Sequence, residues 1–228
     1  MADDAHSFLE SASEHHGSLT SEETGRADLY ALCASLFIDS ADAALLHALA
    51  GAAPLCVPPL DNPLQNSPLK DALGKLAAAA GITPPDAVRE QFDALFTSTG
   101  TPVINPYASV YLAGFMNDKP LAALRRDLSE LGLGRVAGRG EAEDHLAVLC
   151  EVMRVMIAGA QLRQPLWRQQ QFFTRHIQPW YAQCLAQVRN KAGASFYGRA
   201  AEFAQTFLDI EAHAFSIEPA VMHAGEFQ

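Results

Sequence analysis

Strand grammar is nearly missing from this chain. It has no alternating Val/Ile/Thr runs and no Asn-Gly or Asp-Gly hairpin turns, which argues against any sizeable sheet. Positive charge is scarce as well. Sixteen Lys and Arg face 26 Asp and Glu, for a net charge of −10. Such a field repels phosphate backbones and welcomes a cationic peptide, so nucleic acid is not an expected partner. The four cysteines, Cys33, Cys56, Cys150 and Cys184, form no CxxC pair. Most of them fall inside apolar helical patterns, as reduced structural thiols do. There is no HExxH and no Cys/His cluster at ligand spacing, so neither a metal nor a cofactor is expected. No apolar run approaches the roughly 20 residues of a membrane span. The opening residues, MADDAHSFLESASEHH, lack the apolar core of a secretory signal. A cytoplasmic location is the resulting expectation.

What the chain does have is helical periodicity. Its 228 residues, 49% of them hydrophobic, suffice for one large domain with its own core. In RADLYALCASLF, Leu29, Leu32, Cys33, Leu36 and Phe37 form one apolar stripe. Ser21, Glu23 and Thr24 supply capping and acidic residues upstream. Further helices are predicted over Asp42–Ala50, Pro68–Ala80, Pro84–Ser98, Tyr107–Met116 and Pro120–Leu131. Val88, Phe92, Leu95 and Phe96 mark the core face of one, and Leu121, Leu124, Leu128 and Leu131 that of another. Between the early helices, GAAPLCVPPLDNPLQNSP carries five prolines and reads as a non-helical loop.

Gly132, Gly134, Gly138 and Gly140 fall within nine residues and make the best hinge candidate, at 132–140. Three long helical patterns follow it. Glu141–Ala160 presents Leu149, Val152, Met153 and Met156. Gln164–Asn190 presents Phe173, Ile177, Trp180, Cys184 and Val188, with Pro179 obliged to kink or split it. Ser195–Ala212 presents Phe196, Ala200, Phe203 and Phe207. The expected organisation is an acidic flexible leader at 1–20, an all-α domain of nine to ten helices at 21–212, and a loose tail at 213–228.

Candidate chemistry is sparse. Ser109 lies in YASVY, which lacks the glycines and the strand of a nucleophile elbow. GLGRVAGRG, with Arg135 and Arg139, could wrap an anion, but no strand precedes it and no Lys-Ser/Thr follows, so the linker reading is preferred. The group in GEAEDHLAVLCEVM is the most suggestive. If a helix begins there, Glu141, Asp144 and His145 share one face of its first turn. Complementing the helix dipole and pairing with an arginine are both open readings of that face.

Taken in order, LYALCASLF, QFDALFTSTG, PYASVYLAG, the Gly-rich joint, EAEDHLAVLCEVM and FFTRHIQPWYAQCL resemble the TorD/DmsD/NarJ family of chaperones for molybdenum-containing redox enzymes, nearer its TorD and DmsD branches. The likeness runs from about Gly25 to Phe207. It implies a non-enzymatic all-helical domain, monomeric or domain-swapped into a homodimer. It also implies binding of the twin-arginine signal peptide of a partner apoenzyme, which is held until molybdopterin is inserted. The family's proline–tyrosine–serine segment falls on Pro106, Tyr107 and Ser109, and its acidic segment on Glu141, Asp144 and His145. The chain departs from the pattern with Ala142 in place of a proline and Asn105 in place of an acidic residue. An arginine pair followed by apolar residues calls for acidic groups beside an apolar groove. Tyr107, Tyr111, Phe115 and Trp180, with the acidic face, are the expected lining, and helix-in-groove or extended docking are equally open. An assembly factor for a non-exported redox complex and a guanine-nucleotide switch using Arg135 and Arg139 are the alternatives.

Overall fold

The computed structural model describes residues 18–56, 67–97, 102–116, 119–134 and 141–217. Among these the chain forms ten helices and, outside them, one isolated β-bridge, which bears out the all-α expectation. The first four helices are α1 (Ser21–Ile38), α2 (Ala43–Cys56), α3 (Pro68–Ile82) and α4 (Pro85–Phe96). Next come α5 (Ala108–Ala113), α6 (Lys119–Glu130) and α7 (Leu146–Ala158). The last three are α8 (Leu166–His176), α9 (Tyr181–Ala192) and α10 (Phe196–Ile217).

Local rules set most of the boundaries. Thr20 and Glu23 form a reciprocal capping box at the start of α1, with bonds of 3.1 and 2.9 Å. The Glu23 carboxyl is held down to about 2, first by its bond from the Thr20 backbone and then by Arg163. Prolines open α3 and α4, where their missing N–H costs nothing. Pro179 splits the pattern predicted over 164–190 into α8 and α9, and the turn at 177–180 closes through Trp180 N–H to the Ile177 carbonyl at 3.2 Å. Gly132 stops α6. Its φ of 71° is the left-handed conformation that lets the Leu133 N–H reach the Leu128 carbonyl at 2.8 Å.

Several boundaries depart from the sequence reading. The second helix does not stop at Ala50: α2 runs on to Cys56, so residues 51–56, which read as the start of a non-helical loop, are helical. The helix predicted from Glu141 begins at Leu146, because residues 141–145 are drawn into another contact described below. The last helix continues past Ala212 to Ile217, with Phe215 buried, so residues 213–217 belong to the domain and not to a tail. Residues 1–17 of the leader, 57–66 of the proline-rich loop, 135–140 of the joint and 218–228 lie outside the described residues.

The core centres on α10, which packs against α1, α3, α4, α8 and α9. Phe196, Tyr197, Phe203 and Phe207 line its inner face, all buried. Full burial of each ring contributes about 1.5–3 kcal/mol. The α9–α10 turn is so tight that a Cβ on Gly198 would sit 1.9 Å from the Gly193 carbonyl oxygen. On the other side, α1 lies along α7. A buried polar clasp ties α1 to α10: Arg26 donates through two nitrogens to Glu211 at 2.9 and 2.8 Å, and Tyr30 donates to the same carboxylate at 3.0 Å. Pairing satisfies this charge where burial would otherwise be costly.

Candidate functional site

The short helix α5 has no side-chain cap of its own. Its cap comes from 35 residues further along. Asp144 accepts the Ser109 backbone N–H at 2.9 Å and also the Ser109 hydroxyl proton. Main-chain bonds fasten the two segments on either side: Ala108 N–H to the Asp144 carbonyl at 2.9 Å, and Leu146 N–H to the Pro106 carbonyl at 2.8 Å. Tyr107 and His145 face each other across this small antiparallel bridge, ring edge against ring face at 4.9 Å. The two segments singled out in the sequence therefore meet in space, but not as two faces of helices.

This geometry assigns Glu141, Asp144 and His145 separate tasks. Asp144 is buried and fully engaged with Ser109. His145 is the N-cap of α7, accepting the Ala147 N–H on Nδ1 at 3.2 Å. Burial lowers its pKa to about 4, against the opposing pull of Glu141 and Asp144, so the ring is neutral at pH 7. Glu141 is the exposed member, and it accepts a hydrogen bond from the Tyr107 hydroxyl. Burial, and then that carboxylate, raise the Tyr107 pKa. Between them Glu143 is clasped by Arg125, whose Nε and Nη2 donate at 3.1 and 2.9 Å.

Behind the seam, Tyr111 stacks on Trp180 at 5.4 Å and donates to Gln187 at 3.1 Å. Trp180 is fully buried and donates its indole N–H to the His176 carbonyl at 2.7 Å. Ser109, His145 and Trp180 are thus buried and bonded internally in this conformation. The sequence reading names all three as peptide contacts, and here their polar atoms bond within the chain. Exposed apolar surface is supplied instead by Leu112, Met116 and Phe115, the last 74% exposed. Residues of α5 and α6, Ala108, Leu112, Pro120, Ala123 and Leu124, line a cleft of about 180 Å³. Asp144, Arg175 and His176 form its polar end.

Sequence reasoning singled out Asp144 but missed Arg175 and His176, and with them their partner Asp127. Asp127 on α6 accepts from His176 Nε2 at 2.6 Å and from Arg175 at 2.9 Å. Burial lowers the His176 pKa, with Asp127 opposing it. Nothing in local spacing announces this group, since 48 residues separate Asp127 from Arg175. Arg135 and Arg139, the alternative anion-binding pair, lie outside the described residues. No cluster of three or more metal-ligating side chains occurs among the described residues, and none of their helices is long and apolar enough to cross a membrane.

Comparison with known proteins supplies the family of this all-helical domain. A family model described as the nitrate reductase delta subunit matches residues 62–186, more than half of the chain. The chain belongs to that family, the TorD/NarJ group that the sequence resembles. Proteins named Chaperone protein TorD from Vibrio cholerae serotype O1 are similar to it. The one from the classical Ogawa strain O395 is 29% identical over 116 residues, 47% of this chain and 53% of its own length. The one from the El Tor Inaba strain N16961 is 28% identical over the same length. The chain spans about half the length of the curated relatives it matches. A solved structure described as a redox enzyme maturation protein from Archaeoglobus fulgidus superposes with a TM-score of 0.51 at 18% identity. It covers 87% of this chain and 98% of its own. That likeness concerns the fold alone.

Proposed function

We propose that this chain is a cytoplasmic, non-enzymatic maturation chaperone for a molybdopterin-containing oxidoreductase. It binds the twin-arginine signal peptide of the apoenzyme and holds it back from export until the cofactor is inserted. Family membership and the chaperone names of its relatives support the class. The single observation that carries the peptide reading is the cleft between α5 and α6, mostly apolar, with Asp144, Arg175 and His176 as its polar lining residues. An apolar signal segment fits such a cleft, and the planar guanidinium of an arginine matches a carboxylate in a way that a lysine does not. Leu112 and Phe115 extend the apolar surface outward, and Glu141 adds an exposed carboxylate beside it.

The test is calorimetric titration with a panel of twin-arginine signal peptides, each paired with a version carrying two lysines. Tight binding to one peptide, weakened by the lysine exchange, supports the reading. Equal binding of both versions removes the arginine specificity, and no binding to any removes the signal-peptide reading. The family description favours one alternative, an assembly factor for a redox complex that is not exported. Such a protein would bind an N-terminal peptide without the arginine pair, and adding peptides of that type to the panel separates the two.

A further inference from the structure

Between α6 and α8 lies a second cleft, of about 340 Å³, of mixed lining: Leu131, Met156 and Phe172 stand with Glu130, Arg168 and Gln171. Trp167 is 45% exposed there, with the Arg168 guanidinium over its ring at 5.2 Å. The two clefts share one residue. Arg175 lines both, so its side chain is the ridge that divides them.

What holds that ridge is weak by this molecule's own standards. Arg26 on Glu211, Arg125 on Glu143 and Arg154 on Glu151 each donate through two nitrogens, Nε and Nη2. Arg175 reaches Asp127 through Nη1 alone, at 3.2 and 2.9 Å to the two oxygens, and its side chain is 51% exposed. Asp127 is less exposed and is steadied by His176. The carboxylate is thus well placed while its cationic partner is poorly aligned, and the forked geometry that makes arginine–carboxylate pairs strong is unused. Releasing Arg175 to water costs little, because exposed ion pairs are weak.

Resting on the signal-peptide reading, we infer that Arg175 is a built-in stand-in for a partner's arginine. An incoming arginine of an extended peptide takes Asp127 through both arms of its fork and displaces Arg175. The ridge then swings aside, and the two clefts become one groove with an apolar side chain of the peptide in each. The occupant is chosen by charge: with Arg175 withdrawn, Asp127 and Glu130 outnumber Arg168 in the second cleft, and the chain carries a net charge of −10. Arg175 would thereby set both affinity and selectivity for guanidinium over ammonium.

The experiment is calorimetric titration of the full chain with a twin-arginine peptide and its two-lysine version, using the wild type, Arg175→Gln, Arg175→Lys and Asp127→Asn. Thermal melts check that each variant is folded. Arg175→Gln is expected to bind the arginine peptide about two- to fivefold more tightly, the weight of one exposed ion pair. Arg175→Lys should fall between it and the wild type. Asp127→Asn should lose about tenfold and erase the preference for arginine over lysine. Unchanged or weaker binding by folded Arg175→Gln, while the wild type still binds, overturns this inference and leaves the signal-peptide reading standing. If the wild type binds no peptide, both fall.

Discussion

Phe203 and Ser109 are both completely buried, yet different forces surround them. Phe203 lies on α10 among Ala200, Phe207 and the other apolar side chains of a continuous core. Ser109 lies at the start of a six-residue helix that cannot persist alone, and what encloses it is a run of polar bonds to Asp144 and the bridge at Tyr107 and His145. The first region is stable because many nondirectional contacts add up. The second keeps its shape because a few directional contacts are all made at once. That arrangement lets Leu112 and Phe115 stay exposed while the geometry of α5 is fixed from beneath.

The comparison can be broken at either end. Truncating the core should cost most. Phe203→Ala is expected to lose about 3–5 kcal/mol, read as a shift in the urea midpoint at constant slope. A loss below about 1 kcal/mol would contradict its place in the core. Asp144→Ala should come next, at about 1–3 kcal/mol, because it strands the Ser109 hydroxyl and backbone N–H in a buried site. Asp144→Asn keeps one acceptor and should recover part of that loss, which chemical denaturation of the pair would resolve. Gly132→Ala should cost about 1 kcal/mol for the left-handed backbone at the end of α6, seen as a lower Tm.

The smallest effect is at the α1 cap, and its sign depends on pH. The Glu23 carboxyl titrates at about 2 in the folded chain, below its ordinary value of 4.5. Its contribution is therefore complete above about pH 5 and is lost as the pH falls toward 2. The exposed setting keeps it below about 1 kcal/mol. Melting the wild type beside Glu23→Gln across that range should show a gap that closes on acidification. A gap that is constant with pH would mean the carboxylate's charge has no part in the cap.

The same contrast explains what the sequence could and could not disclose. Phe173, Ile177, Trp180, Cys184 and Val188 were legible as one buried stripe because helical periodicity is a local signal, and all five are buried. The seam was half legible. The segments around Tyr107 and Glu141 stood out by composition and resemblance. Extending α7 back to Glu141, however, placed Glu141, Asp144 and His145 on one helical face. The structure ends that helix at His145 because the Asp144 carbonyl and carboxylate are committed to Ala108 and Ser109. A partner 35 residues away leaves no trace in local spacing. Asp127 and Arg175 went unnoticed for the same reason: each sits in an ordinary amphipathic helix, and only the packing of α6 on α8 makes them a pair.

The long-range cap on α5 also orders events during synthesis. Chain that has emerged only as far as α5 carries the residues of the cleft's first wall but nothing to hold them, since α5 is too short to be helical unaided. The wall is set when Asp144 arrives, and the charged end is complete only once Arg175 and His176 on α8 follow. The cleft is therefore incomplete until most of the chain is made. Only then does the exposed apolar face of Leu112 and its neighbours take a fixed shape.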